Sequence, residues 1–391
     1  MKTRSPPLAS AIACAWRLLP ERAPPSTNRL LVKVGIGSVL IAACARQADW
    51  RWHPACRKSR ARAVSALTIH GGRIDAAALR YPAAPLPWLD LSTGINPNGY
   101  DPAALTLADP RVLPSPSRLA ALEDAAAAAF GMPCGAIAAL PGSEIGLRLL
   151  ATMGLPGPTC VVAPSYGSHF AALPLATPVK SEALADADWR SALLANPNNP
   201  DGRVIAPETL LDLARSRTAD GGWLVIDEAF ADCVAGASVL PLLRDDDRVL
   251  VFRSFGKFYG LAGVRLGFVC GAEAIVAGYR ERLGSWPVSS AAIELGIGAY
   301  RDTQWRDAMR IDLAAAAAAL DQVLRRHGLT PRGDCPLFRL VETHDAAVVF
   351  ERLATAGILT RPFDYAPDWL RIGLPGSAAA LARLDRALAG G

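Results

Sequence analysis

Short runs of apolar residues, alternating with amphipathic stretches, recur along the chain from about residue 120. The segments CVVAP (160–164), SALLANP (191–197), WLVIDEA (223–229), VLVFRS (249–254) and LGFVC (266–270) are largely apolar at successive positions and rich in branched side chains. A strand with one wet face alternates apolar and polar residues, so these runs predict strands buried on both faces. Between them, RLAALEDAAAAAFG (118–131) and APETLLDLARSRTAD (206–220) place apolar residues at helical spacing, and the first closes on a glycine. Strand and helix in turn predict an α/β fold with a doubly wound, mostly parallel sheet. Near residue 290 the pattern changes. A long helical run, roughly 288–327, precedes short strand candidates and two further helices. The expected division is a loop-rich segment 67–110 that contributes to a small domain and covers the site, a large domain 111–290, and a smaller α+β domain 291–391.

Composition changes the picture mainly at the start of the chain. Of 391 residues, 51% are hydrophobic, enough for a large core, and the formal net charge is +5. The positive excess clusters in residues 1–66, with Arg46, Arg51, Arg57, Lys58, Arg60 and Arg62. The remainder is close to neutral or acidic, so no basic face for nucleic acid is expected. VGIGSVLIAACA (34–45) is too short to span a bilayer and lies too far from the start for a signal peptide. Residues 1–66 are therefore expected to be disordered, or to derive from a start codon called too early. Eight cysteines without a C-x-x-C pair and five dispersed histidines argue for reduced thiols, a cytoplasmic location and no metal.

Polar residues collect just past the predicted strand ends, where open α/β sheets bind ligands. LPGSEIG (140–146) is a glycine turn opening a helix, so the backbone at Gly142, Ser143 and Glu144 and the Ser143 hydroxyl suit a phosphate. Tyr166, Asn199, Asp227, then Ser254 and Lys257 follow four further strands, and Arg265 lies eight residues beyond the lysine. Singly, Asn199 reads as a turn former, Asp227 as a helix cap and Lys257 as a solvated strand end. Jointly they suit pyridoxal 5'-phosphate. Lys257 is placed to form the Schiff base and Asp227 to keep the ring nitrogen protonated. Tyr166 is placed to stack on the ring and Asn199 to bond its phenolic oxygen. Ser143, Ser254 and Arg265 are placed to hold the phosphate.

NNPDG, DEAF and SFGKFYGLAGVRLG, in that order, resemble fold-type I enzymes of the class I and II aminotransferase family, over roughly residues 67–391. The resemblance implies a homodimer with a pyridoxal phosphate site, and Arg371 in LRIGLPG gripping the substrate α-carboxylate. Within the family, TIHGGRI (68–74), LDLSTGINPNGY (89–100) and SWPVSSAA (285–292) are most similar to the threonine-phosphate decarboxylase branch of cobalamin biosynthesis. That branch implies a phosphorylated amino acid as substrate, His70 near its phosphate, and Asn96 at the substrate. Two positions depart from the wider family. Phe230 replaces a tyrosine that bonds the cofactor's phenolic oxygen, as also occurs in the decarboxylase branch, and Leu113 replaces one that reaches the partner subunit's phosphate. Histidinol-phosphate aminotransferase or a related aminotransferase is the alternative activity. An aminotransferase-like regulator is a distant one, because residues 1–66 lack the helical patterns of a winged helix.

Overall fold

The computed structural model describes residues 67, 71–104, 109 and 111–390, and the expectation for residues 1–66 lies outside them. In chain order the strands are β1 (Leu89–Asp90), β2 (Ala136–Leu140), β3 (Thr159–Val162), β4 (Thr177–Val179), β5 (Ser191–Ala195), β6 (Trp223–Asp227) and β7 (Val249–Ser254). They continue as β8 (Gly267–Gly271), β9 (Pro331–Arg332), β10 (Phe338–Glu342), β11 (Ile358–Leu359), β12 (Arg361–Phe363) and β13 (Ala366–Gly373).

Seven strands form the main sheet in the order β2-β8-β7-β6-β5-β3-β4. Its ladders are parallel except at β8, which runs antiparallel to both neighbours. The continuous apolar runs are explained by burial on both faces. Ile226, Val249 and Phe268 join one apolar cluster, while Val225, Leu250 and Val269 join another. Helix Pro116–Phe130 shows how local chemistry sets its limits. The Ser115 hydroxyl accepts from the Arg118 N–H, Pro116 occupies the first turn, and Gly131 takes the left-handed conformation at the end.

Two features differ from the sequence reading. The run 288–327 is two helices, Ser290–Arg301 and Thr303–Arg326. The break falls at Asp302, whose carboxylate caps the second helix by accepting from the Trp305 N–H at 2.9 Å. The main sheet also gains β2 and β4; AIAAL holds a single β-branched residue and TPV is three residues long with a central proline, and both are edge strands, where such sequences are tolerated.

The second sheet is antiparallel, in the order β12-β13-β10-β9. The chain between residues 89 and 100 runs from this region to the main sheet. β1 pairs in parallel with β11, and the Gly373 N–H donates to Leu91 O at 2.6 Å. Further on, the Asn96 N–H donates to Lys257 O and the Tyr100 N–H to Tyr259 O, both at 2.9 Å. Among the described residues no helix is long and apolar enough to cross a membrane, and no cluster of metal-ligating side chains occurs.

Candidate active site

The carboxyl ends of β5, β6 and β7 open onto a cavity of about 250 Å3. Ser143, Glu144, Tyr166, Asn199, Asp227, Ser254, Lys257, Arg265 and Arg371 all line it, so residues spread over 229 positions converge there (371 less 143, plus one). Lys257 sits in the short helix Phe255–Phe258 directly after β7, with Phe255, Gly256 and Phe258 buried around it. That packing turns the one charged residue of the helix toward the cavity. Burial, and then the positive charge of Arg371, push the Lys257 amine down to about 8, with Asp227 opposing the shift. A lysine so tuned is partly neutral near physiological pH and is a competent nucleophile and proton carrier.

Asp227 ends β6 and is 6% exposed. Its Oδ1 accepts from the Ala229 N–H at 3.1 Å and its Oδ2 pairs with His169 Nε2 at 3.0 Å. His169 Nδ1 in turn pairs with Ser165 Oγ at 2.7 Å, and the imidazole is fully buried. This Ser165–His169–Asp227 chain fixes the carboxylate's orientation, and the sequence reading missed it. The available signal was the i,i+4 spacing in PSYGSH, which puts Ser165 and His169 on one side of a helical turn. Tyr166 stands edge-on to the imidazole, ring centroids 5.8 Å apart.

Next to this acid lies a cationic cup. Arg265 has φ 56°, the only non-glycine among the described residues in the left-handed region. Its guanidinium packs over Gly142, which has φ 88° and where any Cβ would overlap it. Within the chain Arg265 donates one long bond, Nη1 to Ala262 O at 3.3 Å. With Ser143 and Ser254 beside it, the cup fits a phosphate dianion. The Glu144 carboxylate is held through Oε1, which accepts from Arg148 and Ser168 at 2.8 Å each.

Arg371 forms the opposite wall. Its Nη1 donates to Asn199 Oδ1 at 2.6 Å and its Nη2 to Ser92 O at 2.7 Å, while Nε, buried, has no partner. Burial and then the charge of Arg361 lower its pKa, yet a guanidinium stays charged at neutral pH. Asn199 keeps its amide Nδ2 to donate. Arg361 also lines the cavity and was not singled out from sequence. Nothing local marks it: its position follows from the ladder, in which Arg361 and Arg371 are direct partners.

One expectation, that for Asn96, needs relocation. His70 lies outside the described residues. Asn96 does not line the cavity: its Nδ2 donates to Phe258 O and its Oδ1 accepts from the Asn98 N–H, both at 2.9 Å. Its Nδ2 thereby holds the end of the lysine's helix, and its Oδ1 closes a turn in its own loop. Leu113 is 64% exposed on a loop that also exposes Val112, to whose carbonyl the Ser290 hydroxyl donates.

This combination of a parallel sheet, a strand-end lysine, a buried carboxylate and a glycine–arginine cup defines a class. The model of the aminotransferase class I and II family matches residues 180–388, and the chain belongs to that family. It is 40% identical to the threonine-phosphate decarboxylase of Sinorhizobium sp over 336 residues, covering 83% of this chain and 99% of that one. It is 38% identical to the threonine-phosphate decarboxylase of Pseudomonas aeruginosa, covering 82% of this chain and 97% of that one. Solved structures show the same fold. L-threonine-O-3-phosphate decarboxylase from Porphyromonas gingivalis has a TM-score of 0.66 at 20% identity, covering 77% of this chain and 98% of its own. Histidinol-phosphate aminotransferase from Sinorhizobium meliloti, in complex with pyridoxal-5'-phosphate, has a TM-score of 0.67 at 20% identity, with 85% and 97% covered.

Proposed function

We propose that the chain is a pyridoxal phosphate-dependent decarboxylase that converts L-threonine O-3-phosphate to (R)-1-aminopropan-2-yl phosphate and CO2 in cobalamin biosynthesis, acting as a cytoplasmic homodimer. The observation that carries this reading is the pair of ladder-partnered arginines, Arg361 and Arg371, on one wall of the cavity that also holds Lys257. Two guanidinium groups suit a small substrate with two anionic groups, a carboxylate and a phosphate, flanking its amine. The near-full-length likeness to two threonine-phosphate decarboxylases supports the same substrate. Exposed Val112, Leu113 and Trp286 support a subunit interface.

Pyridoxal phosphate, when bound, supplies an electron sink for the pair left on the α-carbon. The protein's residues set the rest. Asp227, held by His169 and the Ala229 N–H, would sit at the ring nitrogen and hold its proton. Arg265, Ser143 and Ser254 would hold the cofactor phosphate. Arg371 grips the substrate carboxylate and Arg361 adds charge for the phosphate. Lys257, its amine lowered to about 8, would attach the cofactor and would carry the proton that replaces CO2 on the substrate α-carbon.

The test is product analysis with pyridoxal phosphate present. Phosphothreonine is expected to give CO2 and aminopropanol phosphate in equal amounts. Release of no CO2, with glutamate-dependent exchange on imidazole-acetol phosphate instead, would overturn the reading in favour of the aminotransferase.

A further inference from the structure

Two aromatic rings back the two cations that flank the substrate. Lys257 Nζ lies 5.7 Å from the centroid of the Phe230 ring, and the Arg371 guanidinium lies 4.9 Å from that of Phe338. The rings meet nearly edge to face, centroids 5.1 Å apart at 74°. Phe230 follows β6 of the main sheet and Phe338 opens β10 of the second, so their contact joins the sheets directly. Gly94 closes the joint. A Cβ at that position would stand 2.8 Å from Phe338 and 2.9 Å from Phe230. Phe338 is fully buried, and Phe230, 5% exposed, also lines the cavity.

We propose that the Gly94–Phe230–Phe338 joint determines which bond at the substrate α-carbon breaks. This rests on the decarboxylase reading above. Arg371 fixes the carboxylate and Lys257 marks where the amine is delivered. The offset between the two therefore sets which α-carbon bond stands perpendicular to the cofactor ring. When the bond to the carboxylate breaks, CO2 leaves, its electron pair stays on the carbon, and a proton joins it to give the amine. When the C–H bond breaks instead, Lys257 takes the proton and returns it to the cofactor, which keeps the electron pair. The amino nitrogen then remains with the reduced cofactor, and hydrolysis by one water releases the substrate as a 2-oxo acid. The joint selects the first course because it transmits the position of one sheet to the other through two rings in direct edge-to-face contact. Both rings lack hydroxyl groups, so the joint orients without accepting or donating protons.

Gly94→Ala and Phe338→Leu test this in the cofactor-loaded protein, with CO2 and 2-oxo acid from phosphothreonine measured side by side. Displacing a reacting group by on the order of 1 Å costs about a hundredfold, so each variant is expected to raise the ratio of 2-oxo acid to CO2 at least about tenfold. A purely structural role would lower both products together and leave their ratio fixed. An independent readout uses protein whose lysine–cofactor link has been reduced with borohydride, which cannot turn over. Calorimetric titration with phosphothreonine is expected to show several-fold weaker binding in both variants. If Gly94→Ala fails to fold, Phe338→Leu alone decides. Wild-type CO2 release with unchanged product ratios in the folded variants overturns the joint's role and leaves the function standing. Wild-type protein that releases no CO2 overturns both.

Discussion

Lys257→Met should stabilise the cofactor-free protein, and should do so in a pH-dependent way. The lysine's pKa falls from an ordinary 10.5 to about 8 on folding, so its ammonium form is disfavoured in the folded state. At about 1.4 kcal/mol per pKa unit the shift corresponds to about 3 kcal/mol, and solvent at the cavity reduces this to roughly 1–2 kcal/mol. The sign follows from proton counting. Below pH 8 both states carry the proton and the penalty is complete. Between 8 and 10.5 the unfolded chain holds more protons than the folded one, so wild-type stability rises with pH and the penalty fades. Methionine adds packing contacts of its own, but these do not titrate. Urea unfolding of the two cofactor-free proteins, at pH 7 and pH 9.5, isolates the electrostatic part. The variant's advantage is expected to be smaller at pH 9.5 than at pH 7, the packing part cancelling from the difference. An advantage that stays constant across this range would refute the argument that burial and the neighbouring arginines tune the amine.

The other predictions concern the loaded site. Lys257→Ala protein incubated with pyridoxal phosphate should show no absorbance from lysine-bound cofactor, and its CO2 release should fall about a thousandfold or more; persistence of that absorbance would reject Lys257 as the attachment point. Arg371→Lys keeps the charge but loses the planar fork that donates to Asn199 and Ser92. Its kcat/KM for phosphothreonine should drop about 10- to 100-fold, chiefly through KM, which steady-state kinetics would show. Gly142→Ala forces a side chain into a glycine-only conformation and onto the Arg265 guanidinium. Cofactor affinity, read by fluorescence titration, should weaken about tenfold or more, since strain and a lost charge-assisted bond each cost about 1–3 kcal/mol. Unaltered affinity would show that Arg265 does not hold the phosphate.

The parts of the site visible in the sequence are those whose position is dictated locally. Asp227, Ser254 and Lys257 each follow an apolar run, and a parallel strand ends where such a run ends. The residues that escaped notice are placed by long-range structure. Arg361 reaches the cavity because it pairs in register with Arg371, and a three-residue strand leaves almost no periodicity to read. His169 acts only through Asp227, 58 positions away. Asn96 misled for the opposite reason: its type suits a ligand, but its Nδ2 is taken by Phe258 O of the lysine's helix and its Oδ1 by the Asn98 N–H. β2 was hidden by alanines, which fit a helix as well as a strand, and only its ladder with β8 decides between them.

A buried ion cluster explains how the strand ends stay in place around an unfavourably buried lysine. Glu228, next to Asp227, accepts from Arg253 Nη1 at 2.9 Å, from the Ser238 hydroxyl at 2.6 Å and from the Val239 N–H at 2.8 Å. Arg253, next to Ser254, also pairs through Nη2 with Asp232 and lies over the Phe130 ring at 4.2 Å. The Asp232 carbonyl accepts from Arg310 Nε at 2.9 Å, which ties helix Thr303–Arg326 to the same point. Such a cluster need not be more stable than apolar packing. Separating its members, however, leaves an uncompensated buried charge, at about 3–5 kcal/mol. That exceeds the roughly 1–2 kcal/mol by which Lys257 would gain from escaping its neighbours. The two strands that present the acid and the lysine therefore cannot part to relieve the lysine, and its amine is held at the lowered pKa that the chemistry uses.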